Sequence, residues 1–177
     1  MASLPNKLKL FELFVAGRAL GKKAKGVTIP KLTRKMEEWR AGSMTGPVEI
    51  DLGMEALTME FTTGGAEIDL IKQFGANTVD GVQLRFAGAY QCDDTATINA
   101  VEIVVRGRLK EIDFGTQTSG ELGETKVVVP CAYLKYTLNG QTICELDPLN
   151  GIEVVGGEDM LAQARAVLGL SSIASMF

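Results

Sequence analysis

The side chains able to do chemistry are few in this chain, and their spacing does not suit it. None of the 177 residues is a histidine, which removes the usual general base and the commonest metal ligand. Cys92, Cys131 and Cys144 form an odd, unclustered set with no CxxC pair. Neither a disulfide framework nor a zinc site is expected, and the thiols read as buried or half-buried side chains in a reducing compartment. Asp93 and Asp94 could supply half of a carboxylate site, but "YQCDDTAT" has the composition of a hairpin turn. "GRALGKK" (17–23) approaches a phosphate-binding loop, yet it has one residue too few between its glycines and carries Lys23 where a hydroxyl would bind magnesium. No GxSxG motif occurs, and no serine has a histidine to activate it. The residues therefore imply no enzyme, no metal and no cofactor. Two basic stretches, "GKKAKG" (21–26) and "RGRLKE" (106–111), lack aromatic neighbours for base stacking. They read as solvated faces or salt links rather than a nucleic-acid surface.

What remains is the framework that would hold side chains for contact. The chain is 46% hydrophobic and 23% charged, the balance of one globular domain over 1–177. Its net charge of −4 is poorly suited to gripping phosphates by counterion release. No apolar run approaches the ~20 residues of a membrane span. Lys7, Lys9 and Glu12 interrupt "MASLPNKLKLFELFVAG", so the N-terminus is not read as a secretion signal.

Strand patterns dominate. In "VEIDLGMEALTMEF" (48–61), alternation after Gly53 puts Leu57, Met59 and Phe61 on one face and Thr58 and Glu60 on the other. "VQLRFAGAY" (82–90) sets Leu84, Phe86 and Gly88 against Gln83, Arg85 and Ala87. "TINAVEIVVRGRLKEIDFG" (97–115) opens apolar, then alternates in charge with Arg106, Arg108 and Lys110 on one face. Over 125–148, Asn139-Gly140 is a hairpin signal, and Pro130 marks an edge or a bulge. Helical spacing predicts a short helix over 65–75 with Ile68, Ile71 and Phe74 on its apolar face. A second is predicted over 157–170, with Met160, Leu161, Ala164, Val167 and Leu168 inward. The glycine-rich segments 40–49 and 114–125 read as long loops.

The segment "LTRKMEEWRAGSMTGPVEID" (32–51) stays open on its own pattern. Leu32, Met36 and Trp39 match a helical stripe, while Thr33, Lys35, Glu37 and Trp39 match one face of a strand.

Four segments in order carry a resemblance: "TIPKLTRKMEEWRAGSMTGPVEIDLGMEALTMEF", "LRFAGAYQCDDT", "VEIVVRGRLKEIDFG" and "YLKYTLNGQTICELDPLNGIEVVGGEDMLAQARAVLGL". From about Leu8 to Leu170 the chain resembles the major tail tube proteins of contractile-tailed bacteriophages, most closely the P2-like family to which the R-type pyocin tubes are related. The resemblance implies a mainly β (α+β) fold, an antiparallel β-sandwich or half-barrel with a short flanking helix and a C-terminal helix. Six such subunits would close a ring with a shared inner β-barrel, and rings would stack into a hollow tube within the sheath. It also resolves 32–51 as strand, loop, strand. The implied partners are further copies of the chain, the tail sheath protein, baseplate and tail terminator proteins, the tape measure protein, and double-stranded DNA passing through the lumen. The implied location is the virion tail, assembled in the bacterial host cytoplasm. A DNA-free, pyocin-like killing particle is the alternative, and an isolated ligand-binding barrel a more distant one. The extension 171–177 has no counterpart in the resemblance.

On this reading the loop 40–49 protrudes to a neighbouring ring or subunit, with Trp39, Arg40, Gly42, Met44, Gly46 and Pro47 in the contact. Strands 31–40, 48–61, 99–110 and 127–138 would form the wall, with Thr58 and Glu60 facing the lumen. Roughly twenty-four strands at ~4.8 Å spacing and ~40° tilt leave a lumen of roughly 40 Å. Its wall would be electronegative, with Arg106, Arg108 and Lys110 paired to acids or placed at a contact between rings.

Overall fold

The computed structural model describes residues 4–170, so the expected extension 171–177 lies outside the described residues. β1 (Lys7–Val15) turns through Ala16 and Gly17 into β2 (Arg18–Ala19), a 3-10 turn (Gly21–Lys23) and β3 (Ala24–Thr28). A ribbon follows, made of β4 (Arg34–Trp39) and β5 (Val48–Met54). Then come β6 (Leu57–Gly64), α1 (Ile68–Gln73), β7 (Val82–Gln91), β8 (Ile98–Gly107) and β9 (Glu111–Asp113). β10 (Glu124–Leu138), β11 (Gln141–Asp147), β12 (Ile152–Val155), β13 (Glu158–Asp159) and α2 (Ala162–Val167) complete the described chain. The result is a mainly β, antiparallel protein with two short helices.

Eleven strands share one sheet, in the order β13-β12-β11-β10-β8-β7-β1-β2, with β6 and β9 also on β10 and β3 on β6. Period-two alternation sends Leu13 and Val15, Leu57, Met59 and Phe61, Leu84 and Phe86, Ile103 and Val105, and Val127 and Val129 into one buried cluster. Because β6 and β10 reach the same cluster as β1, β7 and β8, the sheet curls around a single core.

The long strand β10 makes this possible. Its first half lies between β6 and β9, with Lys126 opposite both Thr62 and Asp113. Its second half lies between β8 and β11, with Tyr136 opposite both Ile103 and Cys144. The changeover is a bulge between Cys131 and Tyr133, beside Pro130, which has no N–H to give to a ladder. Of the two readings of Pro130, the bulge is the one found. Opposite it, a Cβ on Gly107 would lie 2.2 Å from the Pro130 carbonyl oxygen, so only glycine allows this approach. Beyond Leu138, Asn139 and Gly140 both take positive φ (49° and 83°), the turn that matches strand twist.

Several expectations need correction. Segments 31–40 and 48–54 do not join the main sheet; they form the separate β4–β5 ribbon, and β6 starts anew at Leu57. Strand 97–115 breaks after Gly107, where Leu109 turns into the core before β9 resumes. Arg106, Arg108 and Lys110 therefore do not share one strand face, and Arg106 lies 5.3 Å from the ring centre of Tyr133. In α1 the core side chain is Leu70, while Ile68, Ile71 and Phe74 are exposed. Lys23–Glu67 (2.8 Å) and Arg18–Asp69 (3.4 Å) link this segment's acids to the β1–β3 region.

The C-terminal helix is shorter than its pattern because Glu158 and Asp159 pair with β12 as a strand. Asp159 accepts from the Leu161 N–H (3.1 Å), and Arg165 reaches back to Asp159 and to the Gly151 carbonyl (2.7 Å). Arg165 is buried, and Met160, Val167 and Leu168 face outward. The apolar stripe is real, but it is turned away from this subunit's core.

The chemical candidates resolve as structure. Asp93 lies in the β7–β8 turn and pairs with Lys9 (2.9 Å) and Lys7 (3.5 Å), which hold its carboxyl below the usual range. Asp94 accepts from the Leu4 N–H (3.1 Å), so the two acids fasten the start of β1. All three thiols are free, and burial pushes that of Cys131 up to about 11. Among the described residues no group of side chains is arranged to hold a metal, and no helix is long and apolar enough to cross a membrane.

Candidate assembly surfaces

The ribbon exposes several large apolar side chains and contains no buried residue. Glu37 lies opposite Ile50 and Trp39 opposite Val48, so these four share a face, joined by Leu52 through alternation. Trp39, Val48, Ile50 and Leu52 are each between 44% and 58% exposed. The opposite face is acidic, with Glu38 directly across from Glu49, and carries one exposed apolar side chain, Met36, across from Asp51. A two-stranded ribbon with one bare apolar face is marginal in water and gains stability from a partner surface.

At the ribbon's base the strands slip register between Arg34 and Met36. Gly53 absorbs the extra residue at φ 103°, and its N–H donates to Asp51 (2.8 Å). The Arg34 guanidinium donates to Asp51 (2.7 Å) and also to Glu153 on β12. Glu153 is only 8% exposed, so its carboxylate needs that cation. The Gly53 N–H and Arg34 together hold the Asp51 carboxyl below the usual range.

The expected contact residues divide. Trp39 is an exposed end of β4, and Arg40, Gly42 and Pro47 are exposed in the loop beyond it. Met44 folds back: its sulfur accepts from the Ala41 N–H (3.2 Å) and its own N–H donates to the Ala41 carbonyl (3.0 Å). It closes the turn at the tip and leaves the apolar face to Trp39. Gly42 and Gly46 are not among the positive-φ glycines; the glycine this arm requires is Gly53. Val48, Ile50, Leu52 and Arg34 lie outside the expected set, although the alternation of Val48, Ile50 and Leu52 against Glu49 and Asp51 is a usable sequence signal.

A second surface lies on the outer side of β3, β6, the first half of β10, and β9. Leu57, Met59 and Phe61 are buried, and Thr58 and Glu60 lie on the opposite, half-buried face. Glu60 receives Lys126 (2.8 Å), and Thr28 lies across from Glu60 on β3. Glu111 and Asp113 flank Val128 and Lys126 on the other side. The Lys126 ammonium is held above its ordinary range by the Glu60 hydrogen bond first, then by the charges of Glu60, Glu111 and Asp113. With Glu124 and its partner Lys25 included, four carboxylates meet two cations on this side of the sheet.

An exposed apolar face on an arm, beside a sheet face of paired acids and bases, is a surface suited to contact with partners. The chain belongs to the phage tail tube protein FII family, whose model matches residues 5–169. It is 46% identical over 171 residues to the tail tube protein of Escherichia phage P2, covering 95% of this chain and 99% of that one. It is 34% identical to the major tail tube protein of Serratia phage KSP20, covering 89% and 92%. It is thus the major tail tube subunit of a P2-like contractile tail, a structural protein of the virion and not an enzyme.

The fold is shared more widely. The sheath-tube complex of an extracellular contractile injection system (PVC) superposes with a TM-score of 0.57 at 10% identity, over 75% of this chain and 91% of that one. Its sheath/tube terminator gives 0.58 at 12% identity, over 77% and 99%.

Proposed function

We propose that six copies close into a ring, that rings stack into a tube, and that the tube conducts the genome into the host. The observation that carries this is the arrangement of β3, β6, β10 and β9. These four strands alternate in direction, and among the described residues β3 and β9 each have one unpaired edge. In a ring, β9 of one copy meets β3 of the next running antiparallel, so closure removes both edges. An odd number of strands would force a parallel junction at every seam. The wall is therefore built from 24–28, 57–64, 111–113 and the first half of β10, in place of the ribbon segments.

The acid excess on the outer side of these strands supports a lumen wall, with Thr58 and Glu60 inward, that repels a polyanion. The ribbon's apolar face, led by Trp39, supports the contact between rings. Its Glu38–Glu49 pair is a place for a neighbour's Arg108 or Lys110. The exposed stripes of α1 and α2 suit the sheath and terminator, as do the sheath and tube terminator assemblies of the fold relatives. Baseplate and tape measure contacts belong to the same reading. Negative-stain electron microscopy of the purified full-length chain tests it: hollow tubes with a lumen of roughly 40 Å are expected. A chain that stays monomeric at millimolar concentration sinks it.

A further inference from the structure

We propose that Arg34 is the positioning residue of the assembly arm, fixing the angle at which the ribbon leaves the sheet. The proposal rests on the ribbon being the contact between rings. The ribbon is a sheet of its own, continuous with the wall strands through the backbone segments 29–33 and 55–56 and closed at its base by a hydrogen bond from the Glu55 N–H to the Thr33 carbonyl (2.9 Å). Ile29 and Met54 pack against the core at that base, but every ribbon strand residue before Met54 is exposed, which leaves a bending mode beyond it. Arg34 spans it. One side of its guanidinium holds Asp51 within the ribbon (2.7 Å), and the other holds Glu153 on β12 in the main sheet.

The planar fork of a guanidinium satisfies two carboxylates at a set angle, which an ammonium cannot reproduce. Asp51 is itself oriented by the Gly53 N–H (2.8 Å), and Glu153 by its place in the β11–β12 ladder opposite Leu146. The chain Gly53–Asp51–Arg34–Glu153 thus transmits the orientation of the main sheet to the arm. A tube needs every arm at one angle, so a loose arm raises the entropy that each docking event must remove.

The test uses the full-length chain carrying Arg34→Gln, Glu153→Gln, both together, or Arg34→Lys, with deletion of residues 42–46 as the reference for ribbon docking. The concentration above which tubes pellet is read alongside amide exchange of β4–β5 in the unassembled chain. Arg34→Gln and Glu153→Gln should each raise that concentration about tenfold or more, and the double variant should be no worse than either single one. Ribbon amides should exchange faster while core amides do not change. Arg34→Lys keeps Glu153 paired, so it folds, yet it should still assemble more weakly. If Arg34→Lys and the double variant polymerise at the wild-type concentration while the deletion does not, the positioning role is wrong and the docking role stands. If the deletion also polymerises normally, the docking role itself fails.

Discussion

Replacing Trp39 with alanine isolates what the arm contributes to assembly. The side chain is 58% exposed in the single subunit. Since a tryptophan buries up to roughly 150–250 Å², roughly 90–145 Å² is open to a partner. At ~25 cal/mol per Å², covering it stabilises the contact by about 2–3.5 kcal/mol per subunit, the range of an interface hot spot. With a tenfold change for each ~1.4 kcal/mol, Trp39→Ala should raise the concentration needed for tubes about thirty- to three-hundredfold. Sedimentation across a dilution series reads this directly. The unassembled variant should unfold within about 0.5 kcal/mol of the parent, because the side chain lies outside the core. Trp39→Phe keeps most of the area and should shift assembly less than about tenfold. Unchanged polymerisation of Trp39→Ala, in a chain that is folded, would refute the idea that this apolar face is the docking surface.

Gly107→Ala should cost at least about 3 kcal/mol in urea unfolding, since its Cβ would sit 2.2 Å from a backbone oxygen that cannot rotate away. Phe61→Ala, in a core position 1% exposed, should lose about 3–5 kcal/mol in the same experiment. The Asp159 carboxyl is depressed, chiefly by the Arg165 hydrogen bond. Its contribution is therefore complete above the ordinary aspartate range near ~pH 4 and lost as pH falls through the lower folded value. Amides of α2 should lose protection over that acid window, and Asp159→Asn should show no such step. Glu60→Lys with Glu111→Lys should leave tubes intact but slow genome ejection, most at low ionic strength; ejection at the parent rate would leave only the geometric argument for the lumen.

How far these features could be read from the chain depended on whether burial had written them into it. Leu57, Met59 and Phe61 alternate with Thr58 and Glu60 because one face of β6 meets a core, and Asn139-Gly140 declares its hairpin through backbone conformation alone. Beyond Met54 at its base, the ribbon meets no core in a single subunit. With both its faces solvated, Leu32, Met36 and Trp39 could pass for a helix, and only the family resemblance settled the matter. The stripe of Met160, Val167 and Leu168 misled for the opposite reason: it is apolar, yet turned outward, while Arg165 is drawn in by Asp159. Pairings such as Arg34 with Glu153, or Glu60 with Lys126, join residues far apart in sequence and leave no local trace.

The shared strand β10 also sets an order of construction. Its second half pairs with β11 across a two-residue turn, a contact that closes in about 1–10 µs. Its first half must wait for β6, which is made much earlier but lies across a long loop whose closure is slower. The seam edges and the base of the arm are thus completed only when β10 locks onto β6. In refolding of the full chain from denaturant, pulse-labelled exchange should find β10–β11 amides protected before those of β6. In the proposed ring, β9 has no place in the wall until β10 is there to pair with it.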